Sequence, residues 1–503
     1  MLLDAFLALL DIWVLVAAVF GIVVGIVIGA IPGLGPTMAI ALLIPVTFSM
    51  APIPAITLLL GVYQGAIFGG SISAILLNVP GTPSSAATAI DGYAMARKGQ
   101  GGKALRIALY ASVFGNIFSC LALMMLAQPL ASMALSFGPA EMTTLLLFAL
   151  AVIILFGGGA KLDAAIMVLI GICAGIIGLD PIAGTPRFTF NNFALENGFQ
   201  LIPVLVGLFA MSEVFLQLFN RPKASAGAQE VPELLPTKVG LAEMWRMRTT
   251  MFLSSVIGTF IGILPGIGST VPAFMSYSLA RSRSRSRDPS SFGKGAAEGV
   301  AAPEAANNAV TGGALIPTLA LGIPGDAVTA VILGAFMLQG LAPGPFLFRD
   351  YGVEVYAIFE ALLLSSIPCI IFGLLLFRVA VHVIRIPPRH LFPAITILAL
   401  LGAFSVNNSM VDVWVMLGAG IVGFLLRRSG FPLPPLLIGL ILGKSLEQSL
   451  RQALLTSGGS LEIFVASPIA AGFLVTIALC VIAAAVFHLR TRNKSEKSAT
   501  GNV

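Results

Sequence analysis

Apolar stretches long enough to cross a bilayer recur from one end of the chain to the other, and the segments between them are short and collect Lys and Arg. That pattern predicts an all-α polytopic membrane protein, with roughly ten to twelve membrane segments if hairpins are counted separately. Gly and Pro interrupt the apolar runs, so broken helices are expected. A bilayer tolerates such breaks where neighbouring segments, hydroxyl side chains or water satisfy the freed backbone groups. A last apolar segment, about Ile463 to Phe487, precedes a basic tail from Arg490.

The pattern repeats. GIVIGAIPGLGPTMA (Gly25 to Ala39) returns as GTFIGILPGIGSTVP (Gly258 to Pro272). Gly25, Gly29, Pro32, Gly33, Gly35 and Thr37 are matched at constant offset by Gly258, Gly262, Pro265, Gly266, Gly268 and Thr270. A second echo pairs Pro80-Gly81, in GGSISAILLNVPGTPSSAATA, with Pro324-Gly325, in TGGALIPTLALGIPGDAVTA. Asp163 with Gly171 parallels Asp412 with Gly420, and Pro203 with Gly207 parallels Pro435 with Gly439. The expected organisation is a first transmembrane repeat (1–220), a polar cytoplasmic linker (221–248), a second repeat (249–450), and an extra C-terminal helix with its tail (451–503).

Charge sets the relative orientation of the halves, because short Lys- and Arg-rich loops stay in the cytoplasm. The turn SMAPIPA (Ser49 to Ala55) is uncharged, whereas its counterpart carries Arg281, Arg283, Arg285, Arg287 and Lys294. One loop later the contrast reverses: Arg97, Lys98, Lys103 and Arg106 stand opposite LAPGPFLFRD with only Arg349. Equivalent loops facing opposite sides predict inverted-topology repeats. This topology leaves Arg187, Arg349, Lys444 and Arg451 outside the cytoplasm. It also makes the segment from Arg248 to Arg281 a re-entrant hairpin with Pro265-Gly266 at its tip.

Composition agrees: 57% of the residues are apolar and 10% charged, far from the charged shell of a soluble domain. The formal charge of +6 sits at membrane edges and gives no reason to expect nucleic acid. The RSRSRSR run reads as a topology signal that attracts anionic membrane lipids. Cys120, Cys173, Cys369 and Cys480 lie in apolar runs without metal-ligand spacing and read as small buried hydrophobes. The N-terminus lacks a basic n-region and carries Asp4 and Asp11, so the first apolar segment is expected to stay in the mature protein. GLILGKS is one residue short of a phosphate loop between its glycines, and His382, His390 and His488 form no triad or metal cluster. Nothing suggests an enzyme, and no cofactor is expected.

Non-helical backbone at membrane depth needs protein or a wet cavity around it, so breaks at matching places in both halves point to a substrate site. They are Pro32 to Gly35, Asn78 to Pro83, Pro265 to Gly268 and Gly322 to Asp326. Each precedes a half-helix whose free N-terminal N–H groups favour an anion, which suits carboxylates. The predicted substrate-binding set is Pro32, Gly33, Gly35, Thr37, Asn78, Pro80, Gly81, Thr82, Pro265, Gly266, Gly268, Ser269, Thr270, Asn307, Asn308, Pro324 and Gly325. Hydroxyl and amide groups here, with Ser71, Ser73, Ser84, Ser85 and Thr311, suit carboxylate oxygens or sodium. Helix capping and packing by small residues is the competing account. Cation coupling is assigned to Asp326 first, then Glu304, Asp91 and Ser71, because a carboxylate at membrane depth is costly to keep. Two alternatives stand beside that assignment. Glu298 and Glu304 flank a helix start at the interface, and Asp91 pairs on the surface with Arg97.

The two P-G-x-G elements, the N-V-P-G-T-P segment and GKGAAEGVAAPEAANNA (Gly293 to Ala309) closely resemble the large membrane subunit of tripartite tricarboxylate transporters, over nearly the whole chain. The resemblance implies a secondary transporter of the bacterial inner membrane. It would import citrate-like carboxylates delivered by a periplasmic solute-binding protein, work with a small membrane subunit, and be driven by sodium or protons. It leaves the substrate open among di- and tricarboxylates and aromatic acids. The competing functions are a carboxylate channel or exporter without a binding protein, and a structural subunit of a membrane enzyme.

Overall fold

A computed structural model describes residues 2–157, 160–191, 193–219, 239–284, 291–383 and 388–500. The chain is an all-α polytopic membrane protein. Eight helices among the described residues are long and apolar enough to cross a membrane, and three shorter apolar helices accompany them. Residues 285–287 of the expected RSRSRSR signal, and residues 221–238 of the expected linker, lie outside the described residues.

After a short helix, Leu2–Leu9, the elements in order are α1 Ile12–Gly29, α2 Pro36–Leu43, α3 Pro52–Leu77, α4 Ser85–Met95, α5 Gly101–Ala134, α6 Pro139–Phe156, α7 Lys161–Gly175 and α8 Leu201–Phe219. The second half supplies α9 Arg248–Gly262, α10 Thr270–Ser284, α11 Ala297–Leu321, α12 Ala327–Leu338, α13 Gly352–Leu364, α14 Ser366–Val383, α15 Pro388–Ser405, α16 Met410–Arg428, α17 Leu433–Thr456 and α18 Pro468–Thr500. Local chemistry sets many of the ends. Asp11 caps α1 through the Trp13 N–H, and Pro36 opens α2 at a position where its missing N–H costs nothing. Ser409 caps α16 through the Val411 N–H.

The helices divide into two compact units that cut across the sequence halves: residues 1–135 with 199–430, and 136–198 with 431–503. In the first unit α3 lies at the centre, its apolar window wholly buried. It packs along α1 through small residues, and α11 packs along α9 in the same manner. A Cβ on Gly25 would stand 2.5 Å from the Val62 carbonyl oxygen, and one on Gly258 2.2 Å from that of Ala306. Only glycine allows the backbones this close. α11 also packs along α5, and α8 packs on α16.

α9 has 15 residues, about 22 Å of helix, which is shorter than the ~30 Å hydrocarbon core. It packs against α10, so the two form a hairpin with Pro265 to Gly268 at its tip. The second unit holds α6, α7, α17 and α18, and a two-stranded hairpin, β1 Gly178–Leu179 and β2 Pro186–Arg187. Here α7 packs along α17, with Gly171 against Leu436 and Gly439 against Val168. Ion pairs hold the hairpin to α17: Arg451 to Asp180 at 2.5 Å, and Arg187 to Glu447 at 2.5 Å. Cys120 and Cys369 are buried as expected, but Cys173 is exposed and Cys480 partly so. An apolar run fixes residence in the bilayer, not which helix face turns to lipid.

Candidate functional site

Both central helices end in the same manner. α3 stops at Asn78 (φ 56) and α11 at Gly322 (φ 71), left-handed C-caps followed by Val79-Pro80-Gly81 and Ile323-Pro324-Gly325. In each half this turn folds back onto the helix that leads to the other break. A Cβ on Gly81 would meet the Gly29 carbonyl oxygen at 2.3 Å, and one on Gly325 would meet that of Gly262 at 2.8 Å. The Gly266 N–H donates to the Gly325 carbonyl at 2.7 Å, and the Gly81 N–H to that of Gly70 at 3.1 Å. The helices that follow then cross between halves, α2 packing on α12 and α10 on α4.

Around these turns Gly33 and Asn78 to Pro80 are exposed, while Pro32, Gly35, Thr37, Gly266, Gly268, Ser269 and Thr270 are half-buried. Thr82 and Pro265 are buried, Thr82 within a hydroxyl cluster with Ser84 and Ser85. Gly33, Gly266 and Gly268 have φ of 90°, 78° and 67°, backbone that side chains resist. Pro32 and Pro265 sit in the turns. α2 starts on Pro36, and α10 starts on Thr270.

The acids take distinct roles. Asp326 caps α12 in a reciprocal capping box with Thr329, and accepts the Tyr63 hydroxyl of α3 at 2.8 Å. Asp91 is fully buried and reaches across to α11. It accepts the Gly295 and Ala296 N–H groups at 2.7 and 2.8 Å and the Tyr277 hydroxyl at 2.9 Å. It is therefore not in a surface pair with Arg97. Glu298 lies in the first turn of α11, as the helix-start account expects, but Glu304 lies deeper and is fully buried. The Glu304 carboxylate accepts hydroxyls from three other helices: Ser71 of α3 at 2.5 Å, Thr88 of α4, and Ser112 of α5 at 2.9 Å. Asn307 and Asn308 sit in the interior of α11 beside Glu304 rather than at a break.

Several participants lay outside the residues singled out from sequence. Tyr63, Thr88 and Ser112 are among them. Polar side chains at helical spacing inside apolar helices, such as Ser112, Asn116 and Ser119 on α5, were the available signal. The turn at Gly33 also has a charged neighbour. The Glu213 Oε1 stands 3.5 Å from where a Gly33 Cβ would sit, and Glu213 is held by Arg427 at 2.6 Å and by Gln217 at 2.9 Å.

A family model described as "Tripartite tricarboxylate transporter TctA family" matches residues 15–438. An uncharacterized 52.8 kDa protein in the TAR-I ttuC' 3' region of Agrobacterium vitis is 40% identical over 459 residues, covering 91% of this chain and 90% of its own length. An uncharacterized protein in the TAR-II ttuC' 3' region of the same organism is 41% identical over 235 residues, 47% of this chain and 96% of its own length. No solved structure matches.

Proposed function

The chain belongs to the tripartite tricarboxylate transporter TctA family, and from that premise we propose that it is the permease subunit of a binding-protein-dependent importer of citrate-like or other carboxylates. In this reading it works in the bacterial inner membrane with a periplasmic solute-binding protein and a small membrane subunit, and a sodium or proton gradient drives uptake. The two halves are inverted repeats, and alternating access moves one set of elements against the other around the breaks.

One observation carries the reading. In both halves a left-handed cap and a Pro-Gly turn fold onto the glycine helix of the other break, and the short helices beyond them cross between halves. Helix N-termini gathered at such a place favour an anion. Thr37, Ser269 and Thr270 can donate to carboxylate oxygens, and the glycines let an anion approach the backbone. One of the buried acids Asp326 and Glu304, each bonded to side chains of the other half, couples the cation.

The test is uptake of labelled citrate into proteoliposomes holding this chain and its small partner, with binding protein added, under a sodium or a proton gradient. Uptake that requires both the binding protein and one gradient is expected. Uptake that persists without binding protein would replace this reading with that of a channel or independent carrier.

A further inference from the structure

Glu304 stands at the foot of a second polar cluster that the carboxylate reading leaves unused. α5 and α11 run side by side, joined at one level by Ser112 to Glu304 and at a higher level by the Gly312 N–H to the Ser119 hydroxyl at 3.3 Å. Between those levels lie Asn116 on α5 and Asn308 and Thr311 on α11. Asn116 falls on the face of Ser112 and Ser119, and Asn308 on that of Glu304 and Gly312, by helical spacing. All three are fully buried. The Asn116 amide oxygen and nitrogen, the Asn308 amide oxygen and the Thr311 hydroxyl have no hydrogen-bond partner among the described residues.

Such a concentration of unpaired polar atoms is rare in a folded interior, where almost every buried polar group is satisfied. Three of the four are oxygens. With the Glu304 carboxylate and the hydroxyl oxygens of Ser71, Thr88 and Ser112, whose lone pairs remain free, they offer a hard, oxygen-only ligand set. Glu304 is its single ionisable member and forms no ion pair among the described residues. One negative charge at this depth is balanced by one positive charge, which selects a monovalent cation over a divalent one.

We propose that Glu304, Asn116, Asn308 and Thr311, with the hydroxyl groups around Glu304, form a site for a desolvated alkali-metal cation of sodium's size. The proposal rests on the transport reading only for its purpose as the coupling site. Asp326, an N-cap, and Asp91, a helix-start anchor, are then structural.

The probe is sodium itself, applied to the purified full-length chain in detergent without substrate. Thermal unfolding is followed in sodium, potassium and choline chlorides at equal ionic strength. A saturable stabilisation specific to sodium is expected for the wild type. Thr311→Val and Asn116→Leu keep the volume while deleting unpaired groups. If those groups only packed, the variants would be as stable as wild type or more so in choline, and would respond to sodium unchanged. As ligands, they should keep the choline stability and weaken the apparent sodium affinity by at least about ten-fold. Equal stability in sodium and choline for the wild type, or a wild-type sodium response in both variants, overturns the site. Failure of carboxylate uptake with the sodium response intact would instead overturn the transport reading.

Discussion

Tyr63→Phe removes one hydroxyl from the centre of the first unit and leaves every other atom in place. The lost bond runs from α3 to the carboxylate that caps α12, at 2.8 Å, and Tyr63 and Asp326 are 0% and 7% exposed. Asp326 keeps the Thr329 N–H and hydroxyl on Oδ1, at 2.7 and 2.9 Å, so the cap survives and only the Oδ2 bond to Tyr63 is lost. Neutral hydrogen bonds between membrane helices average about 0.6 kcal/mol and reach about 1.7. A bond to a charged acceptor is worth about 1.5–3 kcal/mol. The acceptor here is a buried carboxyl group, so the expected loss spans both cases, about 0.6–3 kcal/mol. Asp326→Asn weakens the same bond and also the cap, adding about 1 kcal/mol. The assay is reversible unfolding in mixed micelles, read by circular dichroism, for both single variants and the double. A coupling energy above about 1 kcal/mol is expected. If Tyr63→Phe unfolds with the wild type, or if the two effects simply add, the contact does not tie the first half to the second break.

Gly33→Leu and Gly266→Leu force a side chain onto φ of 90° and 78°, at a cost of about 1–2 kcal/mol each. Only the ends of Glu213 and Gln217 approach Gly33. Both variants should therefore insert in the membrane and fail in uptake, and normal uptake by both would remove these turns from the site. Gly81→Ala is the contrasting control: its methyl meets the Gly29 carbonyl at 2.3 Å, so folded yield should fall along with uptake. Asp180, in the β1–β2 turn, is held well below the usual carboxylate range by the Ala183 N–H, the Arg451 guanidinium and the Ile182 N–H. A lowered folded pKa contributes stability that is complete above the unfolded value of about 3.9 and is lost only as pH falls through the folded one. Asp180→Asn should thus lower thermal stability by the same amount across neutral and mildly acidic pH. A deficit that vanished by pH 6 would contradict the assigned cause.

The breaks were legible because their causes are local. Glycine with positive φ, proline without an N–H and a left-handed cap act within a few residues, so P-G-x-G and x-P-G mark the turns in any surroundings. The roles of the acids were not legible, since partners decide them. Asp326 is read correctly as the residue at a break, but its place as N-cap and its Tyr63 bond depend on a helix 263 residues away in sequence. Asp91, six residues before Arg97, looks like a surface ion and is instead the anchor for the start of α11.

By itself the sequence determined the solvent and the local geometry: a bilayer, helices to fill it, and the turns where those helices break. Tertiary structure alone decided that the compact units cut across the halves, that hydroxyls from α3, α4 and α5 converge on Glu304, and that Asn116, Asn308 and Thr311 are buried with polar atoms left unpaired among the described residues. The physical reason is range. Apolarity and backbone preference are properties of a residue and its neighbours, whereas a buried charge takes its meaning from groups brought beside it by packing of distant segments.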